Sequence, residues 1–292
     1  MTHEEQAALV AWLRRPRVVW STVTERLEEC GSVRTAAAGE EPAQGSLFET
    51  TLADGAEKAA SDLEQWERSG IRMVSVLDPG YPSNLRMIHP HPPVLFMRGT
   101  ADTRDAASVA VVGTRHPTER GIDQARQLAT GLAASGVPVI SGLAAGIDSA
   151  VHTAALAAGG RTVAVIGTGI DRAYPPQNAS LQEEIAAKGL LVSQFLPGSS
   201  PTKASFPMRN AVMSGYALAT VVIEAADRSG SRMQARLALQ HGRHVFLMRS
   251  LLEHDWARDY AQRPGVTVVE TAADVLGGLQ RLASESTDLV WA

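Results

Sequence analysis

A chain of 292 residues exceeds the usual single domain of roughly 100–200 residues, so two units are expected. A net charge of -4 excludes wholesale basicity, and any hold on nucleic acid has to use a local basic patch. The single cysteine, Cys30, excludes an internal disulfide and reads as a partly buried structural thiol on a helix.

The first residues, Met1-Thr-His-Glu-Glu5, are acidic where a signal peptide is basic. No apolar run approaches the ~20 residues that a membrane span needs, so a cytoplasmic protein with no membrane partner is expected. Residues 4–14 and 21–30 have helical spacing, with Ser21 as the expected N-cap of the second helix and Gly31 as its stop. Residues 38–55 read as a loose connection, and a further helix runs from about Ala56 to Ser69. Trp12, Trp20 and Trp66 are expected in the core of this helical unit, residues 1–70. The pair in His89-Pro-His91 reads as surface loop rather than metal site.

Strand candidates begin at Ile71 and Val94. From Val109 onward the pattern is regular. Short apolar runs at 109–112, 137–140, 162–166, 190–193, 219–223, 244–248 and 266–269 alternate with helical segments. Near-continuous apolar strands separated by helices predict an α/β doubly wound, mostly parallel sheet over residues 71–292.

In such a sheet the turns after the strands gather at the carboxyl edge. Helix N-termini there carry unpaired N–H groups and partial positive charge, which favour anions. Gly113-Thr114-Arg115 follows the first parallel strand. The glycine permits a sharp turn, Thr114 can donate to a phosphate oxygen, and Arg115 offers a planar fork. Ser141-Gly142-Leu-Ala-Ala-Gly146-Ile-Asp148 follows the second strand, with His152 at i,i+4 from Asp148. Two such side chains are too few for a metal, and the pair is read as hydrogen-bonded and loop-shaping. Lys203-Ala-Ser-Phe-Pro-Met-Arg209-Asn210 is a basic loop entering a helix. Glu224 ends a strand on the same edge, and Ser229-Gly230-Ser231 forms either an anion nest or a helix cap. Gly167-Thr-Gly169 lacks the third glycine of a dinucleotide fingerprint, and no Walker lysine is present. No cofactor is expected.

Several ordered blocks resemble the DNA-processing protein A family (DprA, also called Smf). They are Asp78-x-x-Tyr81-Pro82-x-x-Leu85, Pro93-x-Leu95-Phe96-x-x-Gly99, Val109-Ala-Val-Val-Gly-Thr-Arg115, the Ser141 to His152 run, Ala164-Val-Ile-Gly-x-Gly-Ile-Asp171-x-x-Tyr174-Pro-x-x-Asn178, Phe206-Pro-x-Arg-Asn210, Val222-x-Glu224-Ala, Ser229-Gly-Ser231 and Gly242-Arg243-x-Val245. The resemblance implies an extended Rossmann-like domain that binds single-stranded DNA, loads the recombinase RecA onto it during natural transformation, and forms a homodimer without catalysis. It carries Arg115 and Arg209 over as DNA contacts, with Lys203 added by proximity. The chain departs from the family pattern at Ala145 and Ala211, where arginine is frequent. It also departs at Arg232-Met-Gln-Ala235 and Met248-Arg-Ser-Leu-Leu-Glu-His-Asp-Trp256, and no C-terminal winged helix is expected. The second reading is a nucleotide sensor or a LOG-like nucleotide phosphoribohydrolase using the same pocket, with Glu224 near the ribose. Against it, Ser229-Gly-Ser231 stands where those enzymes carry Pro-Gly-Gly-x-Gly-Thr.

Overall fold

A computed structural model describes residues 1–38, 52–227 and 229–289. The expected loose connection at 38–55 lies largely outside the described residues. The chain begins with four helices, α1 (His3–Leu13), α2 (Trp20–Cys30), α3 (Val33–Ala38) and α4 (Leu52–Arg68). α1 opens on a capping box, in which Thr2 and Glu5 satisfy each other's backbone N–H groups. α2 begins at Trp20 after Val19, which supplies no side-chain cap, so Ser21 lies inside the helix rather than at its cap. Gly31 closes α2 at φ 66°, a left-handed conformation that glycine adopts without strain. Cys30 is exposed, contrary to the partly buried thiol expected, because it sits on the outer face of the last turn.

The sheet follows: β1 (Ile71–Ser75), α5 (Ser83–Arg86), β2 (Val94–Gly99), β3 (Val109–Val112), α6 (Glu119–Ala134), β4 (Val139–Ser141), α7 (Ile147–Ala157), β5 (Thr162–Val165), α8 (Ala179–Lys188), β6 (Leu190–Ser193), α9 (Ser205–Tyr216), β7 (Ala219–Val222), α10 (Gly230–Gln240), β8 (His244–Met248), α11 (Asp255–Ala261), β9 (Val266–Val269) and α12 (Ala272–Leu289). Its nine strands are ordered β1-β2-β6-β5-β4-β3-β7-β8-β9. The seven strands from β6 to β9 are parallel, and β2 runs antiparallel to both of its neighbours.

Period-2 alternation explains why the parallel strands read as unbroken apolar runs. In β3, Val109 and Val111 join one core cluster, while Ala110 and Val112 join the other. In β8, Phe246 and Met248 face one side, and Val245 and Leu247 the other. Helices cover both faces, so both sets are buried. The helical unit shares the larger core: Trp12, Leu27 and Leu63 belong to the same cluster as Val94 and Phe96. Trp66 meets the Phe96 ring edge-on at 5.4 Å between centroids. His91 is also buried here, contrary to the surface loop expected. Its Nδ1–H donates to the Ile88 carbonyl at 2.7 Å, and Nε2 lies 3.0 Å from Glu28 of α2.

Candidate functional site

β3 connects to β4 on one side and pairs with β7 on the other, so chain direction across the sheet reverses between β3 and β7. A crevice outside the carboxyl ends of the strands forms at such a switch point. The loop after β3 fills part of it. Thr114 N–H donates to the Glu224 carbonyl at 2.7 Å, and the Thr114 carbonyl accepts from Ile147 N–H at 3.2 Å. The Glu224 carboxylate accepts from Thr118 N–H at 3.2 Å and from the Thr118 hydroxyl at 2.8 Å. Both ends of residues 114–118 are thereby clipped to neighbouring strand ends.

The glycines of the site serve this interlocking. A Cβ on Gly113 would lie 2.4 Å from the Ile147 side chain. At Gly146, φ is +84°, and a Cβ would meet the Thr114 carbonyl oxygen at 2.5 Å. At Gly142 it would lie 1.5 Å from a terminal nitrogen of Arg209. At these three glycines the space that a missing side chain leaves is filled by neighbouring protein. Gly230, by contrast, faces open space.

Beneath the loop after β4 lies a buried polar layer. Arg209, from the second turn of α9, is 6% exposed and donates to the Val165 carbonyl at 3.0 Å. Asp148, in the first turn of α7, turns back to accept from Gly142 N–H at 3.2 Å and Ala144 N–H at 3.4 Å. Burial pushes the Asp148 carboxyl up from its ordinary range, against the pull of the Arg209 guanidinium and the two N–H groups. Burial likewise lowers Arg209, opposed by Asp148. His152 is fully buried. Thr162 gives its own proton to the Val139 carbonyl at 2.9 Å, so it accepts from His152 Nδ1–H at 2.7 Å. Burial pushes His152 down to about 3, which keeps the ring neutral. Asp148 and His152 thus have separate partners in place of the shared hydrogen bond expected. Ser141 is buried between strands, its hydroxyl donating to the Val111 carbonyl at 2.7 Å.

The exposed layer above is different. Arg115 projects into solvent and has no hydrogen bond or ion pair among the described residues. Its guanidinium lies over the Phe206 ring at 5.2 Å, and Phe206 in turn lies 5.6 Å from the Tyr174 ring. Lys203, three residues before Phe206, is exposed. The cations stand out in the sequence by residue type, and the two aromatics do not. Their signals were Phe206 next to a helix-starting proline and Tyr174 in a proline-bounded turn, in a chain with only 5% aromatics.

Ser229 caps α10 by accepting from Arg232 N–H at 3.1 Å, and Ser231 is buried, so the run forms a helix cap here. Asn210 is buried and donates its side-chain amide to the Gly230 carbonyl at 3.3 Å, tying α9 to α10. Arg232 lies 5.7 Å from the Trp256 ring and 6.0 Å from the Tyr260 ring, and donates to the Asp227 carbonyl at 2.8 Å. Two departures from the family pattern are therefore partners: Arg232 holds the 249–261 segment against α10. Among the described residues no group of three metal-ligating side chains is assembled, and no helix is long and apolar enough to cross a membrane.

A sequence model of the family described as DNA recombination-mediator protein A matches residues 72–283. The chain is 40% identical over 205 residues to the DNA processing protein DprA of Streptococcus pneumoniae, covering 69% of this chain and 72% of that one. It is 42% identical over 188 residues to Protein Smf of Synechocystis, covering 63% of this chain and 47% of that one. It thus spans about half the length of the Synechocystis relative. In fold it is similar to the X-ray structure of the Streptococcus pneumoniae protein, with TM-score 0.73 and 30% identity over 95% of this chain and 98% of that one. A DNA processing protein A from Helicobacter pylori, solved for its single-stranded DNA binding mode, aligns with TM-score 0.64 and 25% identity over 72% of this chain and 96% of that one.

Proposed function

The chain belongs to the DNA recombination-mediator protein A family, and on that premise we propose that its carboxyl sheet edge holds single-stranded DNA. The observation that carries this reading is the surface made by Arg115, Phe206 and Tyr174. A strand with unstacked bases needs aromatic faces for the bases and cations for the phosphates. An exposed guanidinium packed on a half-buried aromatic supplies both within one contact. Arg115 takes a phosphate oxygen through its fork, Phe206 and Tyr174 take bases, and Lys203 adds a point charge along the path.

Arg209 has a different part in this reading. It bonds the end of β5 and packs against Gly142 from below, while Asp148 accepts from Gly142 and Ala144 N–H and so fixes where that loop sits. The Glu224 carboxylate is engaged by the Thr118 N–H and hydroxyl, which supports a binding edge over a nucleotide-cleaving one. RecA loading during natural transformation, action as a cytoplasmic homodimer, and the division into a helical unit (1–70) and a DNA-binding unit (71–292) belong to the same proposal. RecA loading and the homodimer rest on the family alone, and the cytoplasmic placement and the division into units rest on the sequence pattern.

The test is fluorescence anisotropy with oligo-dT across a salt series. Affinity should fall with salt at about 0.7 log units per phosphate contact for each log unit of salt. Arg115→Ala should weaken binding roughly ten- to hundredfold, the worth of a charge-assisted hydrogen bond, and lower the salt slope by about one contact. Failure to bind in low salt, or equal binding by Arg115→Ala, overturns the reading. A large thermal shift with a mononucleotide and none with DNA would instead favour the nucleotide sensor.

A further inference from the structure

A second cleft of about 320 Å³ opens on the same edge of the sheet, lined by Arg120, Gln124, Arg249, Ser250, Glu253 and Glu270. Arg249 directly follows β8 and Glu270 directly follows β9, while Arg120 and Gln124 stand in the first turns of α6. Four of the six linings satisfy one another. Arg249 pairs with Glu270, and the Ser250 hydroxyl donates to the Gln124 amide oxygen at 3.4 Å. The remaining two carry opposite charges, are exposed, and have no side-chain hydrogen bond or ion pair among the described residues, with each other included.

A cleft that presents one free guanidinium and one free carboxylate is neutral in sum, so it is a poor phosphate site. It suits a flat, uncharged ligand with donors on one edge and acceptors on another. Guanine has that form: its O6 and N7 accept from an arginine fork, and its N1–H and N2–H groups donate side by side to a carboxylate. Adenine, cytosine and thymine lack the adjacent pair of donors. The volume is enough for one base but not for a whole strand.

Building on the strand-binding reading above, we propose that this cleft is a guanine-reading pocket, with Glu253 and Arg120 as the specificity-determining residues. Arg120 is five residues from Arg115, so their Cα atoms are at most about 18 Å apart. A strand held at Arg115 and Phe206 therefore reaches the cleft within a few nucleotides. The segment from Met248 to Trp256, where this chain departs from the family pattern, supplies Arg249, Ser250 and Glu253 to it. Arg232 anchors that segment through Trp256 and so keeps the far wall in place.

The experiment is anisotropy with the full chain and oligo-dT carrying a single guanine, walked along the strand. One position should bind about tenfold tighter than all-thymine, and adenine or cytosine there should not. Glu253→Gln should abolish that preference while oligo-dT is still bound. Replacing the guanine by 7-deazaguanine, which lacks the N7 acceptor, should remove part of it. Oligo-dT binding with no guanine preference at any position, or a preference that survives Glu253→Gln, overturns the pocket and leaves the strand-binding reading standing. No oligo-dT binding at all overturns both.

Discussion

Arg115 and Arg209 stand on the same sheet edge, and their guanidinium groups are in opposite situations. Arg209 is 6% exposed, bonded to a strand-end carbonyl and set over a glycine that exists to make room for it. Arg115 is exposed, packed on one aromatic ring and without a hydrogen bond or ion pair among the described residues. A buried cation holds backbone in place, and breaking its surroundings costs stability. An exposed cation costs the fold little and keeps its hydrogen bonds for a ligand. The site is therefore two layers: a fixed polar base of Arg209, Asp148 and His152, and a ligand-facing surface of Arg115, Phe206 and Tyr174.

The sharpest way to break this division is Arg209→Ala. It removes the charge that opposes the burial of Asp148 and leaves the Val165 carbonyl without its donor, and unfolding free energy in urea should drop by about 1–3 kcal/mol. A variant that keeps its stability and loses only DNA affinity would move Arg209 into the upper layer. Next comes Phe206→Ala, expected to cost about 1–3 kcal/mol of oligo-dT binding with the salt slope unchanged, because stacking releases no counterions. The melting temperature should fall modestly, since the half-buried ring also packs against the buried backbone at Gly167.

The smallest effect, taken over the single unit from pH 6 to pH 5, is a pH slope in the lower layer. His152 is pushed down to about 3 in the fold, against an ordinary value of 6.5. Above 6.5 both folded and unfolded chains hold it neutral, and the full stability is present. As pH falls below 6.5 the unfolded chain takes up a proton that the folded chain refuses. Stability should then decline by about 1.4 kcal/mol per pH unit toward pH 3. Urea titrations at pH 6 and pH 5 read this before most carboxylates titrate. A His152→Gln variant should show a shallower slope over the same interval.

Much of the sheet was legible because burial on both faces leaves a simple signature. Val109–Val112, Leu190–Ser193 and His244–Met248 read directly as strands, and their alternation with helices gave the parallel order. α3 escaped notice because six residues, Val33–Ala38, are too few to show a helical period. The site was legible in its charges and illegible in their burial. Nothing local in Phe-Pro-Met-Arg-Asn says that Arg209 turns inward. That follows from the Val165 carbonyl and from the bare Cα of Gly142, both more than forty residues away in the chain. Likewise, glycine after a strand announces a close approach without saying what approaches. Here Ile147, Arg209 and the Thr114 carbonyl fill the space at Gly113, Gly142 and Gly146.

The contact at Gly142 also bears on how the family can drift. A Cβ there would fall 1.5 Å from an Arg209 nitrogen, so alanine at 142 and arginine at 209 exclude each other in this arrangement. Neither position can change first without loss: a side chain at 142 evicts the arginine, and a shorter residue at 209 strands Asp148. The two should therefore be inherited as a pair across related chains, substituted together or not at all, while Arg115, free of such a tie, can be exchanged in a single step whenever the ligand changes.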